Sequence, residues 1–571
     1  MKGLACLLYC SLLFAASGAG KDMAPYGFEK FYDVSHLVKV EIQLKESDWD
    51  RMRVQHRLLV KTLRTDIPPT DQAKQFDYFP AQLKIDGVEV GKVAIRKKGF
   101  VGSLDVNRPS LKIQIDRFDK KKMFAGVDTL TLNNNRQDPT RVHQLIGYQL
   151  FRNAGIPASH CNLAHVTVNG KSLGIYSNVE SLDKHLFRRA FKNANGTLYE
   201  GTIADFHLSS LVRFERKFGS KKADKILKKI SLAIKLDNEK LLKELGRYLD
   251  LESFYSFWAM EVLLGHWDGY VSNKNNYFIY FDSKSDRLSF MPWGLDQLAT
   301  DRNMFWRRDF DPPKSVKADA AIPRRLYDHP ESQKYYFEAL RLLLNEIWVE
   351  DKLVSQIDDL YKMIEPYLVD RNRWTKGSVG KLTKFIKNRR TEIMEEISNG
   401  VMPDWTLEPR PMMGEIVKVA DINSRFSLKL SENEKNQFGF VSVKGQGDVP
   451  LKMGKKEIDF GRPLFAIRQN GRRSVTLRIS SAGAQLKGNP NAIEITFPRT
   501  RLNDDESELS HRIDIFASPA QGGIFIRGSK EEFGRLAGKI VFTSFGLEQG
   551  DKIEGRLESE AFRFLPSKDE Q

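Results

Sequence analysis

The spacing of apolar residues changes twice along this chain, and these changes limit the folds that it can adopt. From Val38 to Ile115 apolar and polar residues alternate as in half-buried strands, with a hairpin predicted at Asp86-Gly87. Over Ala223–Leu264 and 331–400 apolar residues recur every three to four positions, as in helices. Short alternating segments return after the proline-rich stretch 403–411. We predict a strand-rich part, a helical part and an all-β sandwich-like part, with a barrel as the alternative.

The composition is that of a folded, multidomain protein. Of its 571 residues, 41% are hydrophobic, 11% aromatic and 29% charged, which excludes a disordered, collagen-like or disulfide-scaffold protein. The formal net charge of +16 favours acidic partners. The cations are dispersed, however, and their longest block is the triplet Lys120–Lys122. Since no basic arm is present, we expect no nucleic-acid partner.

The first twenty residues are typical of a secretory signal peptide. Lys2 supplies the positive charge of its N-terminal region, and Leu4–Ala16 is apolar. The small residues at 15–20 suit removal of the signal peptide by cleavage. No later stretch approaches the roughly 18 apolar residues of a transmembrane segment. We therefore predict export to the periplasm, the cell surface or the medium, with residues 1–20 removed as signal peptide.

The segment richest in potential chemistry is Gly265–Tyr277. Asp268 and Asn273 stand in a loop predicted between a helix and a β-hairpin, and Asp296 follows the second strand of that hairpin. Phosphoryl transfer needs an acid that accepts the hydroxyl proton and oxygen ligands that hold Mg²⁺ on the phosphates. Protein kinases have this order of elements. The alternative is an ordinary turn, because Asp-Gly and Asn-rich loops are also favoured for backbone reasons.

A glycine loop upstream is a candidate phosphate-binding element. Residues 95–103 read Ile-Arg-Lys-Lys-Gly-Phe-Val-Gly-Ser, and Lys112 lies on the next predicted strand. Glycine lets a backbone approach phosphate closely, and lysine supplies charge. The alternative is a glycine hairpin with solvated cations. Glu180, which follows another strand, is by itself typical of a surface or capping acid.

Taken in order, the motifs of residues 30–400 resemble the spore coat protein H (CotH) kinase family. The resemblance implies an α+β, atypical two-lobed protein-kinase-like fold with a β-rich N-lobe and a helical C-lobe. Its most specific part is the set Asp268, Asn273, Asn276 and Asp296. The motifs are Ser47-Asp-Trp-Asp50, Arg96-Lys-Lys-Gly99, Pro109-Ser-Leu-Lys112, Leu130-Thr-Leu-Asn-Asn134, Gly170 to Glu180, Gly196-Thr-Leu-Tyr199, Gly265 to Tyr277 and Pro292 to Asp296.

The resemblance also implies a reaction. Members of this family are secreted kinases that phosphorylate Ser or Thr with ATP and a divalent metal, here Mg²⁺ or Mn²⁺. By resemblance, Asp268 is the catalytic aspartate, and Asn273 and Asp296 are the metal ligands. The cations within Arg302–Arg325, beyond the metal aspartate, predict acceptor segments with acidic residues beside the Ser or Thr.

The same resemblance assigns the nucleotide-binding residues. Glu180 is the charge partner of a phosphate-contacting lysine, for which Lys98 and Lys112 compete and Lys112 is preferred. Tyr199 lies in the connector that contacts adenine. The sequence departs from the family in the glycine loop, often Arg-Gly-Asn-Ser-Ser, and at Gly294, where the family often has Asp.

The predicted domains are the signal peptide 1–20, a CotH-like kinase domain 21–402 and an all-β accessory domain 412–571. The proline-rich linker predicts few contacts between the last two, so that the accessory domain is separable. Two other functions remain open: an adenylyl or other nucleotide-driven transferase on the same fold, and a non-catalytic envelope or adhesion protein. The oligomeric state is left open by the sequence.

Other chemistries lack their motifs. The sequence has no His-Glu-x-x-His for zinc and no Gly-x-Ser-x-Gly elbow for a serine hydrolase. Cys6 and Cys10 fall in the signal peptide, so Cys161 has no partner for an intramolecular disulfide. A buried thiol is the prediction for Cys161.

Overall fold

The structure is a computed structural model that combines helices and strands. It describes residues 21–69, 76–368, 373–398, 400, 402–409, 414–430, 440–453, 456–458, 460–470, 474–481, 491–498, 508–514, 521–525 and 534–565. The predicted signal peptide lies outside these residues. Within them, no helix combines the length and the apolar character that crossing a membrane requires.

Strands dominate the first part of the described chain. Its elements are β1 Lys21–Asp22, α1 Phe28–Phe31, β2 Val38–Gln43, α2 Glu46–Arg53, α3 Leu59–Leu63, β3 Phe79–Ile85, β4 Val88–Lys98, β5 Ser110–Gln114, β6 Lys122–Met123, β7 Thr129–Asn133, α4 His143–Asn153, β8 Cys161–Val168 and β9 Lys171–Glu180.

These strands close into a barrel in the order β2-β3-β4-β5-β7-β9-β8. The predicted hairpin at Asp86-Gly87 is present and joins β3 to β4, with both residues at positive φ as such a turn requires. Asn169-Gly170 joins β8 to β9 in the same way. Alternate residues of β2 and β3 point into the barrel and form its apolar interior. Cys161 is buried and free, and burial raises its pKa to about 12.

Helices dominate the second part. Its elements are α5 Lys184–Phe191, β10 Thr197–Gly201, β11 Phe214–Phe218, α6 Asp224–Ala233, α7 Asn238–Leu245, α8 Leu251–Leu263, α9 Tyr270–Asn273, β12 Tyr277–Asp282, β13 Arg287–Pro292, α10 Ala321–Tyr327, α11 Pro330–Glu346, α12 Glu350–Ile364 and α13 Arg373–Glu396.

The second part has one continuous core that also reaches the barrel. Strands β11-β10-β12-β13 form a sheet in that order, with the predicted hairpin as β12 and β13. Helix α8 is buried on nearly all sides, and residues of α4, β8 and β9 join its apolar cluster. The outer face of the barrel and the helices therefore share one core, which fixes the loops between them.

In the third part, the elements among the described residues are strands. They are β14 Glu415–Lys429, β15 Val441–Asp448, β16 Leu451–Met453, β17 Lys456–Ile458, β18 Leu464–Asn470, β19 Ser474–Ser480, β20 Ala492–Pro498, β21 Leu509–Ile513, β22 Gln521–Phe525, β23 Gly534–Phe545 and β24 Lys552–Leu565.

The third part has a closed sheet rather than the predicted sandwich. Strands β15-β18-β19-β20-β22-β23-β24-β14 pair in that order, and β15 also pairs with β14. The cause is the length of β14, because one edge pairs with β24 along the strand while residues 425–429 of the other edge pair with β15. The barrel alternative is therefore the one that the structure supports.

The third part also packs on the first. This differs from the prediction that few contacts connect the domains on either side of the linker. Helix α3 contributes Leu59, Val60 and Leu63 to an apolar cluster with Ile416, Ala537 and Phe562, here called the interdomain cluster. The linker prediction was wrong because a proline-rich connection does not exclude contact between surfaces that are distant in sequence.

Candidate active site

Asp268 lies in the loop between α8 and α9, where asparagine side chains hold its carboxylate. The amide nitrogens of Asn273 and Asn276 donate to its two oxygens at 2.6 and 2.8 Å, and Asn275 donates to Oδ1 at 3.2 Å. Burial raises the pKa of Asp268, while these donors and His266 oppose the shift. The structure thus brings Asp268 and Asn273 together as expected, and the carboxylate has a fixed orientation.

A buried glutamate supports this loop. Glu261, on α8, accepts hydrogen bonds from the backbone nitrogens of Tyr270 at 3.2 Å and Val271 at 2.9 Å. Nδ1 of the fully buried His266 lies 3.4 Å from Oε1 of Glu261. Sequence reasoning missed Glu261, although a glutamate inside the apolar run Phe257–Leu264 could have indicated a buried polar role.

Asp296 follows β13 and lies close to Asp268. Burial first, and then the charge of Asp268, raise the pKa of Asp296 to about 7. Gly294 precedes it with φ +54°, and a Cβ there would lie 2.5 Å from Oδ1 of Asn276. Glycine at 294 therefore allows the close approach between the Asp296 turn and the Asp268 loop, which accounts for this departure from the family pattern.

The donors of this site suit a hard divalent cation. Asp268, Asn273 and Asp296 offer two carboxylates and an amide oxygen, and Mg²⁺ is usually bound by one or two carboxylates together with substrate phosphates. The two partly buried carboxylates disfavour each other's charge, which a cation between them would relieve. Among the residues that the structure describes, no group of three or more His, Cys, Asp or Glu side chains could hold a metal. The remaining ligands of such a cation would be phosphate oxygens and water.

We expect divalent binding to weaken as the pH falls from 8 to 6, because the pKa of Asp296 is raised to about 7 and its protonated form is a poor ligand. Without cation, the free energy of unfolding should fall as the pH rises from about 4 to 7, since the folded state keeps a proton that the unfolded chain releases. Thermal unfolding at several pH values, with and without Mn²⁺, measures both trends. An Asp296→Asn variant that keeps the same pH slope would contradict the prediction.

Lys98 points to this site from the end of β4. Its ammonium donates to Oδ1 of Asn133 and lies 5.4 Å from the ring centroid of Trp293. Burial, with smaller contributions from nearby cations, lowers its pKa to about 7, and the charges of Asp296 and Glu200 oppose that shift. Lys98 therefore has a site carboxylate among its charged neighbours.

Lys112 and Glu180 are placed differently from the prediction. Burial lowers the pKa of Lys112, but the carboxylates that oppose this shift are Asp183 and Asp128, neither of which belongs to the site. The Glu180 carboxylate pairs with Arg189 and accepts a hydrogen bond from the backbone nitrogen of His160 at 2.9 Å. The expected lysine partner of Glu180 is replaced by arginine, because α5 brings Arg189 across the end of β9.

Tyr199 is a core residue rather than an exposed contact. Its side chain is 1% exposed, and its hydroxyl donates to Oδ1 of Asp224 at 2.6 Å. Neighbouring residues of a strand face opposite sides, so Glu200 points away from that core. Glu200 pairs with Lys217 at 2.9 Å and contributes to the field at Lys98. Sequence reasoning missed Glu200, because the residues around it in the sequence do not distinguish it from an acidic residue on the surface.

The glycine loop is a tight turn closed on itself. Gly99 has φ +116°, and a Cβ there would lie 2.6 Å from Oγ of Ser103. Phe100 donates its backbone N–H to that hydroxyl at 3.0 Å, and Asn134 donates to the Ser103 carbonyl at 3.0 Å. The loop is thus held in one shape beside Lys98.

Most cations of the segment after Asp296 make internal contacts. Its exposed tip carries Arg307 and Arg308 beside the exposed acids Asp309 and Asp311, so the charges there balance. The exposed tip therefore carries no excess positive charge, and the preference for acidic acceptor segments stays a prediction. The internal contacts are Arg302 to the Arg307 and Phe310 carbonyls, Lys314 and Lys317 to Asp301, Arg324 to the Leu407 carbonyl and Arg325 to the Leu236 carbonyl.

Replacing Lys98 with Met should slow any phosphoryl transfer about 100-fold, because one charged contact to the transferred group is lost. Lys112→Met is the matched control on the neighbouring strand, and we expect it to change the rate less than threefold. Nucleotide titration and initial rates on both variants measure this. If Lys112→Met slows transfer more than Lys98→Met does, Lys112 is the phosphate-contacting lysine, as the sequence analysis preferred.

Comparison with known proteins places the chain in a family. The family model described as CotH kinase protein matches residues 95–395, just over half of the chain. The inner spore coat protein H of Bacillus subtilis (strain 168) is 22% identical over 307 residues, which cover 49% of this chain and 82% of that protein. The spore coat protein homolog 1 of Rhizopus delemar is 24% identical over 266 residues, 43% of each chain.

Solved structures give weaker matches. The Helicobacter pylori proinflammatory kinase CtkA aligns over 52% of this chain and 96% of its own, with 12% identity and a TM-score of 0.28. The structure of the toxin–antitoxin system HipA, HipB and operator DNA of Shewanella oneidensis MR-1 aligns over 64% of this chain and 74% of the matched one, with 11% identity and a TM-score of 0.29.

Proposed function

Because this chain belongs to the CotH kinase protein family, we propose that it is an exported, atypical protein kinase. It transfers the γ-phosphate of ATP to Ser or Thr hydroxyls of exported or envelope proteins, and it uses Mg²⁺ or Mn²⁺. The observation that carries this proposal is the meeting of Asp268, Asp296 and Lys98 from three separate elements. A binding surface alone has no need for two partly buried carboxylates beside a partly buried lysine.

Asp268 is proposed as the general base. The acceptor oxygen forms a bond to the γ-phosphorus, the bond from that phosphorus to the bridging oxygen of ADP breaks, and the hydroxyl proton passes to Asp268. The asparagine donors orient the carboxylate, and its raised pKa makes it a better proton acceptor than an exposed aspartate.

Asn273 and Asp296 are the proposed ligands of the divalent cation, which neutralises phosphate charge when bound. Lys98 is the proposed phosphate contact, since phosphate would favour its charged form, and the loop at Gly99 lies next to it. Glu180 and Tyr199 keep structural roles, given their pairing with Arg189 and Asp224.

We also propose the export signal and the domain boundaries that the sequence predicts. Residues 1–20 direct export, 21–402 form the two-lobed kinase domain with the barrel as the β-rich lobe, and 412–571 form the accessory domain. The names of the spore coat relatives support a location outside the cytoplasm.

Incubation of the purified protein with Mn²⁺ and either γ-labelled or α-labelled ATP tests the proposal. A kinase transfers only the γ-label to protein Ser or Thr and releases ADP. Transfer of the α-label, with pyrophosphate release, would instead show adenylyl transfer. No label on any protein, with no nucleotide binding, would favour the non-catalytic envelope protein.

A further inference from the structure

An apolar groove with an acidic rim lies on the helical part, at the end of α8 remote from Asp268. Its volume is about 1110 Å³, and it is lined by one face each of α7, α8 and α11. The lining residues of α8 belong to its first turns, whereas Asp268 follows its C-terminal end. At 1.5 Å per residue, about 10 Å of helix lies between Ser256, the last lining residue of α8, and the end of that helix at Leu263.

The floor of this groove is apolar and open to solvent. Leu242, Leu251 and Ala339 are partly buried in it, while Tyr335 is 42% and Leu342 is 59% exposed. Tyr335, Ala339 and Leu342 recur at four- and three-residue spacing along α11, so they form one stripe. Large apolar side chains exposed together in a concave surface are typical of an interaction site.

The rim of the groove is acidic although the protein as a whole is strongly basic. Glu239, Glu252, Glu331 and Glu338 line it, opposed by Lys243. All four of these glutamates are exposed to solvent. On a molecule with a net charge of +16, such exposed carboxylates around an apolar floor are complementary to a cationic, amphipathic ligand.

We propose that this groove binds a basic amphipathic helix of a partner protein. An amphipathic helix can place apolar residues at i, i+3 or i+4 and i+7 in such a groove. The apolar face of the bound helix would cover Leu342 and Tyr335. Lysines or arginines beside that face would reach Glu239 and Glu338. This proposal does not depend on the kinase reaction.

Fluorescence anisotropy with the full chain tests whether the groove binds such a helix. The probe is a labelled peptide of about 16 residues with leucines on one helical face and lysines beside them, and the comparison peptide carries glutamates in place of the lysines. We expect saturable binding of the lysine peptide only, and weaker binding as salt rises.

Variants of the groove make the test specific. Glu239→Lys combined with Glu338→Lys should weaken binding about tenfold, and Leu342→Asp should do the same, whereas Asp358→Lys on the exposed face of α12 should leave it unchanged. Asp296→Ala should also bind the peptide as the parent does, so that peptide binding is tested independently of the proposed kinase activity.

Three outcomes would overturn the inference. They are equal binding of both peptides, an affinity that the groove variants do not change, and sedimentation that shows self-association lost on Leu342→Asp. The last would make a second copy of this chain the occupant of the groove.

Discussion

Replacing Asp296 with Ala should remove divalent-dependent ATP binding, with an increase in Kd of about 100-fold. The reason is that Asp296 supplies the carboxylate of the two proposed ligands, so its loss leaves the cation with the amide oxygen of Asn273. Isothermal titration with ATP and Mn²⁺ measures the change. Asp311→Ala, at an exposed aspartate further along the chain, is the matched control and should bind as the parent does.

Asp268→Asn should give the complementary result. The amide keeps the shape of the carboxylate but cannot accept the hydroxyl proton, so transfer should fall about 1000-fold while ATP binding stays within a few-fold of the parent. The same titration and a γ-label transfer assay separate the two effects. If both variants bind ATP and transfer phosphate as the parent does, the kinase assignment fails.

The parts of this site that the sequence predicted are local. Asp268 and Asn273 lie within one short loop, and the hairpin that leads to Asp296 is also a contiguous segment, so spacing and turn chemistry place them correctly. The choice between Lys98 and Lys112 is different. The pairing of Arg96 with Lys112 puts both lysines on one face of the sheet, so the choice depends on which end of these strands lies beside Asp296. Asp296 is nearly two hundred residues away in sequence, and local spacing does not show which lysine it meets.

Tertiary contacts account for the other differences. Arg189 is only nine residues from Glu180, but the sequence does not show that α5 folds back and brings it to that carboxylate. The closed sheet of the third part depends on both edges of β14 being paired, one of them with β24 at the far end of the chain. Alternation in the sequence identifies strands and their buried faces, but it carries no information on their partners.

A chain that ends at Asp404 should be less stable than the parent and prone to aggregate. Removing the third part exposes Leu59, Val60 and Leu63, whose burial is worth roughly 1.5–3 kcal/mol each. It also removes the Gly414 carbonyl, to which Arg213 donates at 2.9 Å. Against a total stability of about 5–15 kcal/mol, these losses are large. Scanning calorimetry and light scattering on the two chains measure the effect.

A pair of point variants tests the same contact without removing a domain. Phe562 is fully buried in the interdomain cluster, whereas Phe564, on the same strand, is 38% exposed. Phe562→Ala should therefore cost about 3–5 kcal/mol, and Phe564→Ala under 1 kcal/mol. Because Phe100 of the glycine loop also packs against this cluster, Phe562→Ala should in addition weaken ATP binding. Equal stability of the two variants, together with a soluble shortened chain that binds ATP as the parent does, would show that the third part is an independent domain.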